Sequence, residues 1–248
     1  MKQEYILKNG IVLEYDGPKH TYKVNGKNIP SVTGITNKGL IKGGLTDWLI
    51  NHPQGVAKKN INDLLDQGIE LDRFKLEKIF EEASLSTDKI KKEAGLIGSV
   101  VHGLIEDFLN GKEIPNQSDK RVVNCWNIFL DWWNKQELKP IEIEKKLYSK
   151  KYNYAGTLDL IAENNKKELV LIDFKTSNQV SFDYYLQLNA YWYAYEEETG
   201  NKISEAIVVR LPKNAKKVDV QTSPLNQTLL NAFIGGKNIM TSMDDYWD

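Results

Sequence analysis

Residues 155–176 read AGTLDLIAENNKKELVLIDFKT, and the fold turns on how this stretch pairs. Residues 157–161 are a short apolar run broken by one acid, Asp159. Asn164-Asn165-Lys166-Lys167 supplies a polar turn, and residues 168–174 return as ELVLIDF. Two carboxylates, Asp159 and Asp173, therefore sit in strands that otherwise want burial. An ionised carboxylate in an apolar sheet is costly unless a cation or several donors meet it. Lys175 follows Asp173 by two, the strand period, and so points to the same face. Acid, acid and lysine gather at one end of a hairpin, a layout suited to a divalent metal and an attacked phosphate. The same residues also read as an Asp–Lys ion pair at a strand end beside an unrelated aspartate.

Working outward, residues 141–149 form a strand before the hairpin, and residues 181–198 form a long helix after it. Residues 202–211 and 217–222 read as two further strands, and 225–240 as a closing helix. Upstream, Gly98 opens a helix, SVVHGLIEDFLNG, which Gly111 closes as a C′ residue. Val101, Leu104, Ile105 and Phe108 make its apolar stripe. His102 and Glu106, four apart, share one side of it. Pro115 and Ser118 precede a second helix through Val122, Trp126, Phe129 and Trp133. The order helix, helix, three strands, helix, strand, strand, helix fits an α/β fold with a mixed central sheet flanked by helices.

The first 95 residues read as an N-terminal elaboration. Residues 11–29 alternate and turn as a β-hairpin, with Asn25-Gly26 a tight-turn signal. Ser31 or Thr33 can cap a short helix. Residues 46–59 and 61–67 look like short helices near a His52-Pro53 break, and residues 71–83 and 87–93 add more helix. Without a repeat or low-complexity linker, residues 1–248 are expected to form a single domain: elaboration over 1–95, core over 96–222 and terminal helix over 223–248.

Composition narrows the options. With 248 residues, 41% hydrophobic, and six Trp, the chain can bury a sizeable core. A net charge of −1 argues against a general basic coat, so a polyanion would need a local groove. One cysteine, Cys125, excludes a disulfide framework, a four-thiolate zinc site and a cysteine-ligated iron–sulfur cluster. Its surroundings, CWNIFLDWW, make it a small core residue. No apolar run approaches the ~20 residues that span a bilayer, and MKQEYILKNG lacks the apolar segment of a signal peptide. The expectation is a soluble, cytoplasmic protein with no membrane partner. Ser- or Cys-based hydrolysis finds no G-x-S-x-G and no Cys–His pair.

Phosphodiester hydrolysis needs activated water, a Lewis acid on the phosphate and neutralisation of developing charge. Asp159 and Asp173 can give oxygen ligands to Mg²⁺ or Mn²⁺, and Lys175 can orient or deprotonate the water and support the pentacovalent state. Gly156-Thr157-Leu158-Asp159, then Asp173-Phe174-Lys175-Thr176, then Gln187 and Tyr191, resembles the PD-(D/E)XK nuclease superfamily. The helix carrying His102 is similar to that of its RecB-like exonuclease branch, which includes phage-type exonucleases and the mitochondrial genome maintenance exonuclease. The resemblance covers roughly residues 96–195 and implies a restriction-endonuclease-like core. YKVNGKNIPSVT, upstream, resembles the N-terminal segment of such enzymes.

The resemblance implies metal ligation by Asp159, Asp173 and His102, with the Phe174 carbonyl a further ligand and Lys175 the catalytic lysine. An imidazole among carboxylates favours Mn²⁺ relative to an all-oxygen site. A histidine simply packed against the sheet is the plain alternative for His102. Glu144, in IEIEKKLYSK, matches the acid on the preceding strand and supports the metal or its water; it also reads as the solvent face of an alternating strand. Gln187 would position Lys175 or a phosphate, with Tyr191 one turn on. Glu106 is either a partner of His102 or a solvated acid. Some relatives in this branch carry an iron–sulfur cluster on four cysteines, which a single cysteine rules out here.

The implied function is a Mg²⁺- or Mn²⁺-dependent DNA nuclease, an exonuclease on single-stranded DNA or DNA ends in recombination, repair or replication, with possible replication or recombination protein partners. The alternatives are a structure- or sequence-specific endonuclease and an inactive nucleic-acid-binding module of the same fold. Lys145, Lys146, Lys150 and Lys151 flank the site, and Arg210, Lys213, Lys216 and Lys217 form a second basic run. With Tyr184, Tyr185, Trp192, Tyr193 and Tyr195 on the neighbouring helix, they suit a single strand, where stacking adds about 1–3 kcal/mol per base.

Overall fold

The computed structural model describes residues 2–40 and 42–247, with side chains through residue 243. Contacts divide the chain into two units, Met1–Leu40 with Val100–Asp248, and Ile41–Ser99. The first 40 residues thus pack with the core, and residues 41–99 group by themselves.

In the larger unit, β1 (Lys2–Ile6), β2 (Val12–Asp16), β3 (Thr21–Val24) and β4 (Lys27–Ile29) form an antiparallel meander. Asn25 and Gly26 both have positive φ, +52° and +73°, as a two-residue hairpin turn with right-handed strand twist requires. The strand at β1 is not evident in the sequence, because KQEYI has no apolar alternation; its pairing with β2 creates it. Leu13, Tyr22, Val24 and Ile29 bury one face of this sheet against Tyr148 and Ala155. The Ala155 N–H then donates to the Pro30 carbonyl at 2.9 Å. Ser31, one of the two candidate caps, accepts from the Gly34 N–H at 3.0 Å and starts α1 (Val32–Lys38).

The core sheet runs β5 (Lys139–Ser149), β6 (Tyr154–Glu163), β7 (Leu169–Lys175), β8 (Ile203–Arg210), β9 (Asp219–Ser223) in spatial as well as chain order. All neighbours are antiparallel except β7 and β8, which are parallel and joined through α5 (Phe182–Thr199). A parallel pair needs such a crossover, so the sheet is mixed, as expected. On one side α4 (Lys120–Trp133) sets Phe129 and Trp132 edge-on to Phe174, with centroids 5.6 and 6.2 Å away. Asp119 caps α4 by accepting from the Arg121 N–H. A separate cluster joins Leu158, Ile161 and Leu171 of the sheet to Leu186, Ala190 and Tyr195 of α5 and Phe233 of α6 (Gln227–Trp247). Tyr154 ties β6 to α5 by donating to the Ala190 carbonyl at 2.8 Å. Cys125 is fully buried, its thiol donating to the Leu211 carbonyl.

The smaller unit holds α2 (Gly43–Asp66) and the N-terminal turns of α3 (Arg73–Leu109). They meet through Ala57, Ile79 and Ala83. The sequence reading divides both helices, and the structure does not. Pro53 lies inside α2, where it forfeits one backbone hydrogen bond without ending the helix. In α3 the polar run at 84–87 is absorbed because Ser84 and Ser86 donate back to the Phe80 and Ala83 carbonyls. Gly98 therefore lies within α3 instead of opening it. The far end behaves as expected: Gly111, φ +71°, and Lys112 donate to the Phe108 and Asp107 carbonyls, a Schellman closure. Among the described residues no helix is long and apolar enough to cross a membrane.

Candidate active site

Pairing between β6 and β7 runs from Glu163↔Leu169 to Leu160↔Ile172 and stops there. Asp159 and Asp173 lie one step further, where the two strands part. The Phe174 N–H, left without a strand partner on that side, donates to Asp159 Oδ2 at 2.8 Å. Strand divergence thus opens a cleft at the C-terminal end of β7, lined by His102, Ile105, Glu106, Glu144, Asp159 and Phe174.

Ligating atoms of His102, Glu144 and Asp159 lie within 4.8 Å of one another. His102 Nδ1 stands 3.6 Å from Asp159 Oδ2. Register brackets Glu144 opposite Asp159, between the pairs Ile143↔Leu160 and Lys145↔Leu158. Its backbone is left-handed, φ +49°, a conformation that costs a side-chain-bearing residue about 1–2 kcal/mol. That kink replaces the exposed alternation that the sequence alone also allowed. Glu106 lines the same cleft and is half-buried, not a freely solvated surface acid. Spacing alone had left it open.

Asp173 is 1% exposed and sits behind this trio. Lys175 Nζ lies 2.6 Å from its Oδ2 as an ion pair, and among the described residues Oδ1 has no hydrogen-bond donor. Burial, with the Asp159 carboxylate adding to it, pushes the Asp173 carboxyl up to about 6 despite Lys175. Burial and then Asp159 likewise push Glu144 up to about 8. Burial works against the Lys175 ammonium, but Asp173 and Asp159 outweigh it, and its pKa is raised.

Carboxylates held this way fit a divalent cation. An imidazole, two carboxylates at one point and an undonated oxygen on a third make a donor set for a divalent metal. Phe174 lines the cleft, and its N–H is the donor to Asp159.

The expected α5 pair is also in place. Gln187 Nε2 donates to Tyr191 Oη at 3.1 Å, both side chains buried. Gly156 shows why its position tolerates no side chain: a Cβ there would meet Tyr191 Cε1 at 2.7 Å and Val32 Cγ2 at 3.0 Å. Lys175 Nζ also lies 5.1 Å from the centre of the Tyr184 ring.

The basic groove is less free than the sequence implies. Arg210 holds Asp219 at 3.0 Å and donates to the Asn178 carbonyl, while Lys213 donates to the Thr176 carbonyl at 2.6 Å. Both pin the loop that follows Lys175. Lys145 faces Glu142 and Glu198. Tyr195 is core, and Tyr185 donates to Gln221. Lys150, Lys151, Lys216 and Lys217 are the exposed members of the two runs.

The raised acids set a pH dependence for the metal-free protein. A carboxyl whose folded pKa lies above its unfolded value keeps a proton that the unfolded chain releases, so stability falls as pH rises between the two. For Glu144 that window runs from 4.5 to about 8. Metal-free Glu144→Gln is therefore expected to melt several degrees above wild type at pH 8, at about 2–4 °C per kcal/mol, and close to wild type at pH 4.5. Equal melting points at pH 8 in thermal denaturation would show that Glu144 carries no buried charge.

The site thus joins GxxD and DxK on the parting strands of a mixed sheet with a helix histidine facing them. Residues 120–236, a little under half of the chain, match the model of the PD-(D/E)XK nuclease superfamily. No curated protein matches the chain. Among solved structures it is similar to a candidate exonuclease from Eubacterium rectale, at 10% identity and a TM-score of 0.40, covering 60% of this chain. The chain spans 65% of that protein's length. It is also similar to the protein SSO0001, at 15% identity and a TM-score of 0.35, covering 81% of this chain and 87% of the other.

Proposed function

We propose that this protein, read as one domain over residues 1–248, is a Mg²⁺- or Mn²⁺-dependent deoxyribonuclease. Its proposed action is exonucleolytic, on single-stranded DNA or DNA ends in recombination, repair or replication inside the cell. The observation that carries the reading is the meeting of His102, Glu144 and Asp159 beside a buried, undonated Asp173 paired with Lys175.

His102, Glu144, Asp159 and Asp173 would hold the cation, with the Phe174 carbonyl available to it. When bound, the cation supplies a Lewis acid for the phosphate and acidifies water in the cleft. The Phe174 N–H fixes Asp159 Oδ2, the oxygen that also faces His102 Nδ1. Without the cation, the Asp173 and Asp159 carboxylates raise the Lys175 pKa against its burial. Its role is to orient or deprotonate the attacking water and to neutralise charge on the phosphate. Tyr184 covers one side of the ammonium, and the buried Gln187–Tyr191 pair supports the helix face behind it.

Single-stranded oligonucleotides labelled internally, with the 5′ or the 3′ end blocked, test the reading alongside a covalently closed single-stranded circle, each with Mg²⁺ or Mn²⁺. Linear strands should be degraded from the unblocked end and circles spared. Cleaved circles would make the enzyme an endonuclease. DNA binding without metal-dependent cleavage would make it an inactive binding module.

A further inference from the structure

Glu144 is a residue out of place: a glutamate in left-handed conformation inside a strand, with its carboxylate beside Asp159. Something must hold it there, since an unconstrained strand would relax to the extended form. The group in contact is Lys146. Its Nζ donates to the Glu144 carbonyl oxygen at 2.9 Å and lies 3.8 Å from Glu144 Oε2. One cation thus clasps both the main chain and the side chain of the same kinked residue.

Lys146 is itself held from outside the core sheet. Its ammonium lies 5.2 Å from the centre of the Tyr15 ring and 5.8 Å from that of Tyr5. Tyr5 is on β1 and Tyr15 on β2, in the meander that the superfamily match does not cover. Tyr15 rests on Tyr22 with centroids 4.9 Å apart, and Tyr22 Oη is 2.8 Å from Thr157 Oγ1, two residues before Asp159. The side chain of Lys146 is 12% exposed. A lysine so enclosed is poorly placed to take a DNA phosphate, whereas aromatic faces hold a partly desolvated ammonium well.

We infer that the N-terminal meander is a positioning device for the cleft. Tyr5 and Tyr15 fix Lys146, and Lys146 holds Glu144 in the kink that turns its carboxylate toward Asp159 and His102. Lys146 is a positioning residue, acting through Glu144. This rests on the reading of Glu144 as part of the metal site.

Two effects of Lys146 oppose each other. Its charge repels a divalent cation nearby, and its grip orients a ligand for that cation. The tyrosine faces offset part of the charge, and loss of an orienting partner typically costs about 10–100-fold in metal affinity or activity, so orientation is expected to dominate.

The test measures Mn²⁺ affinity by calorimetry and single-strand cleavage in the full-length protein for Lys146→Met, Lys146→Arg, Tyr15→Leu and Glu144→Gln, with the double variant Lys146→Met/Glu144→Gln. Lys146→Met should weaken Mn²⁺ binding and lower kcat by about 10–100-fold, with KM for DNA within about twofold and Lys146→Arg recovering most of the loss. Tyr15→Leu should move both quantities in the same direction by a smaller factor, without touching the cleft. In the Glu144→Gln background, Lys146→Met should cost nothing further, because the two act as a unit. Tighter Mn²⁺ binding by Lys146→Met would overturn the inference, as would a full additional loss in the double variant. So would a raised KM with a shallower salt dependence, which marks a phosphate contact. If wild type cleaves no nucleic acid, the nuclease reading fails, while the calorimetric cycle still decides the role of Lys146.

Discussion

Lys175→Met is expected to lower metal-dependent cleavage by about 10²–10³-fold in kcat, the usual cost of removing a preorganised electrostatic group at the phosphate. KM for DNA and the Mn²⁺-induced rise in Tm should persist, since Lys175 is not a ligand. Its Nζ sits 2.6 Å from Asp173, whose other oxygen has no donor among the described residues. Removing one partner of a buried pair typically costs about 3–5 kcal/mol. Metal-free Lys175→Met should therefore be markedly less stable above pH 6, where Asp173 ionises, and recover when Mn²⁺ replaces the lost charge. Single-turnover cleavage in saturating Mn²⁺ isolates the chemical step from that instability. A rate within tenfold of wild type would remove Lys175 from the mechanism.

Asp159→Asn should abolish both cleavage and the metal's thermal effect. The change is isosteric, and the amide oxygen can still accept from the Phe174 N–H, so the strand junction is preserved. It removes the charge that His102 and Glu144 share. Wild type with Mn²⁺ at a hundred times its Kd gains about 2.7 kcal/mol, or about 5–10 °C at this size. Asp159→Asn should show little of that gain, and cleavage should fall by more than about 10³-fold, since loss of the Lewis acid removes several kcal/mol of charge stabilisation. A normal Mn²⁺ shift in this variant would put the cation elsewhere. Together the two variants separate ligand from charge: one loses chemistry alone, the other loses chemistry and metal.

Much of this site is legible in the chain because its parts are local. Asp173 and Lys175 share a face by strand period alone, and Gln187 and Tyr191 meet by the helical repeat. Asp159 and Asp173 are matched by a five-residue connection that sets the register of a hairpin. The misread helices have an equally local cause. Ser84, Ser86 and Pro53 look like breaks, but back-donating hydroxyls and one forfeited hydrogen bond let α2 and α3 continue. The strand β1 was invisible because a pairing partner, not its own pattern, makes KQEYI extended.

By itself the sequence determined the mixed sheet, the order of its elements and the identity of the acids, histidine and lysine, since each follows from periodicity, turn chemistry or charge within a few residues. Only the tertiary structure decided how those groups meet. Asp173 lies against Lys175 behind a trio that includes Glu144, and Glu144 is there because its backbone kinks. Arg210 and Lys213, which read as a DNA-facing run, spend their hydrogen bonds on the loop after Lys175. The physical reason is distance along the chain. A kink held by an ammonium between rings 131 and 141 residues upstream (Tyr15 and Tyr5 against Lys146) leaves no local signature, and the balance of burial against charge exists only once those residues share one low-dielectric cleft.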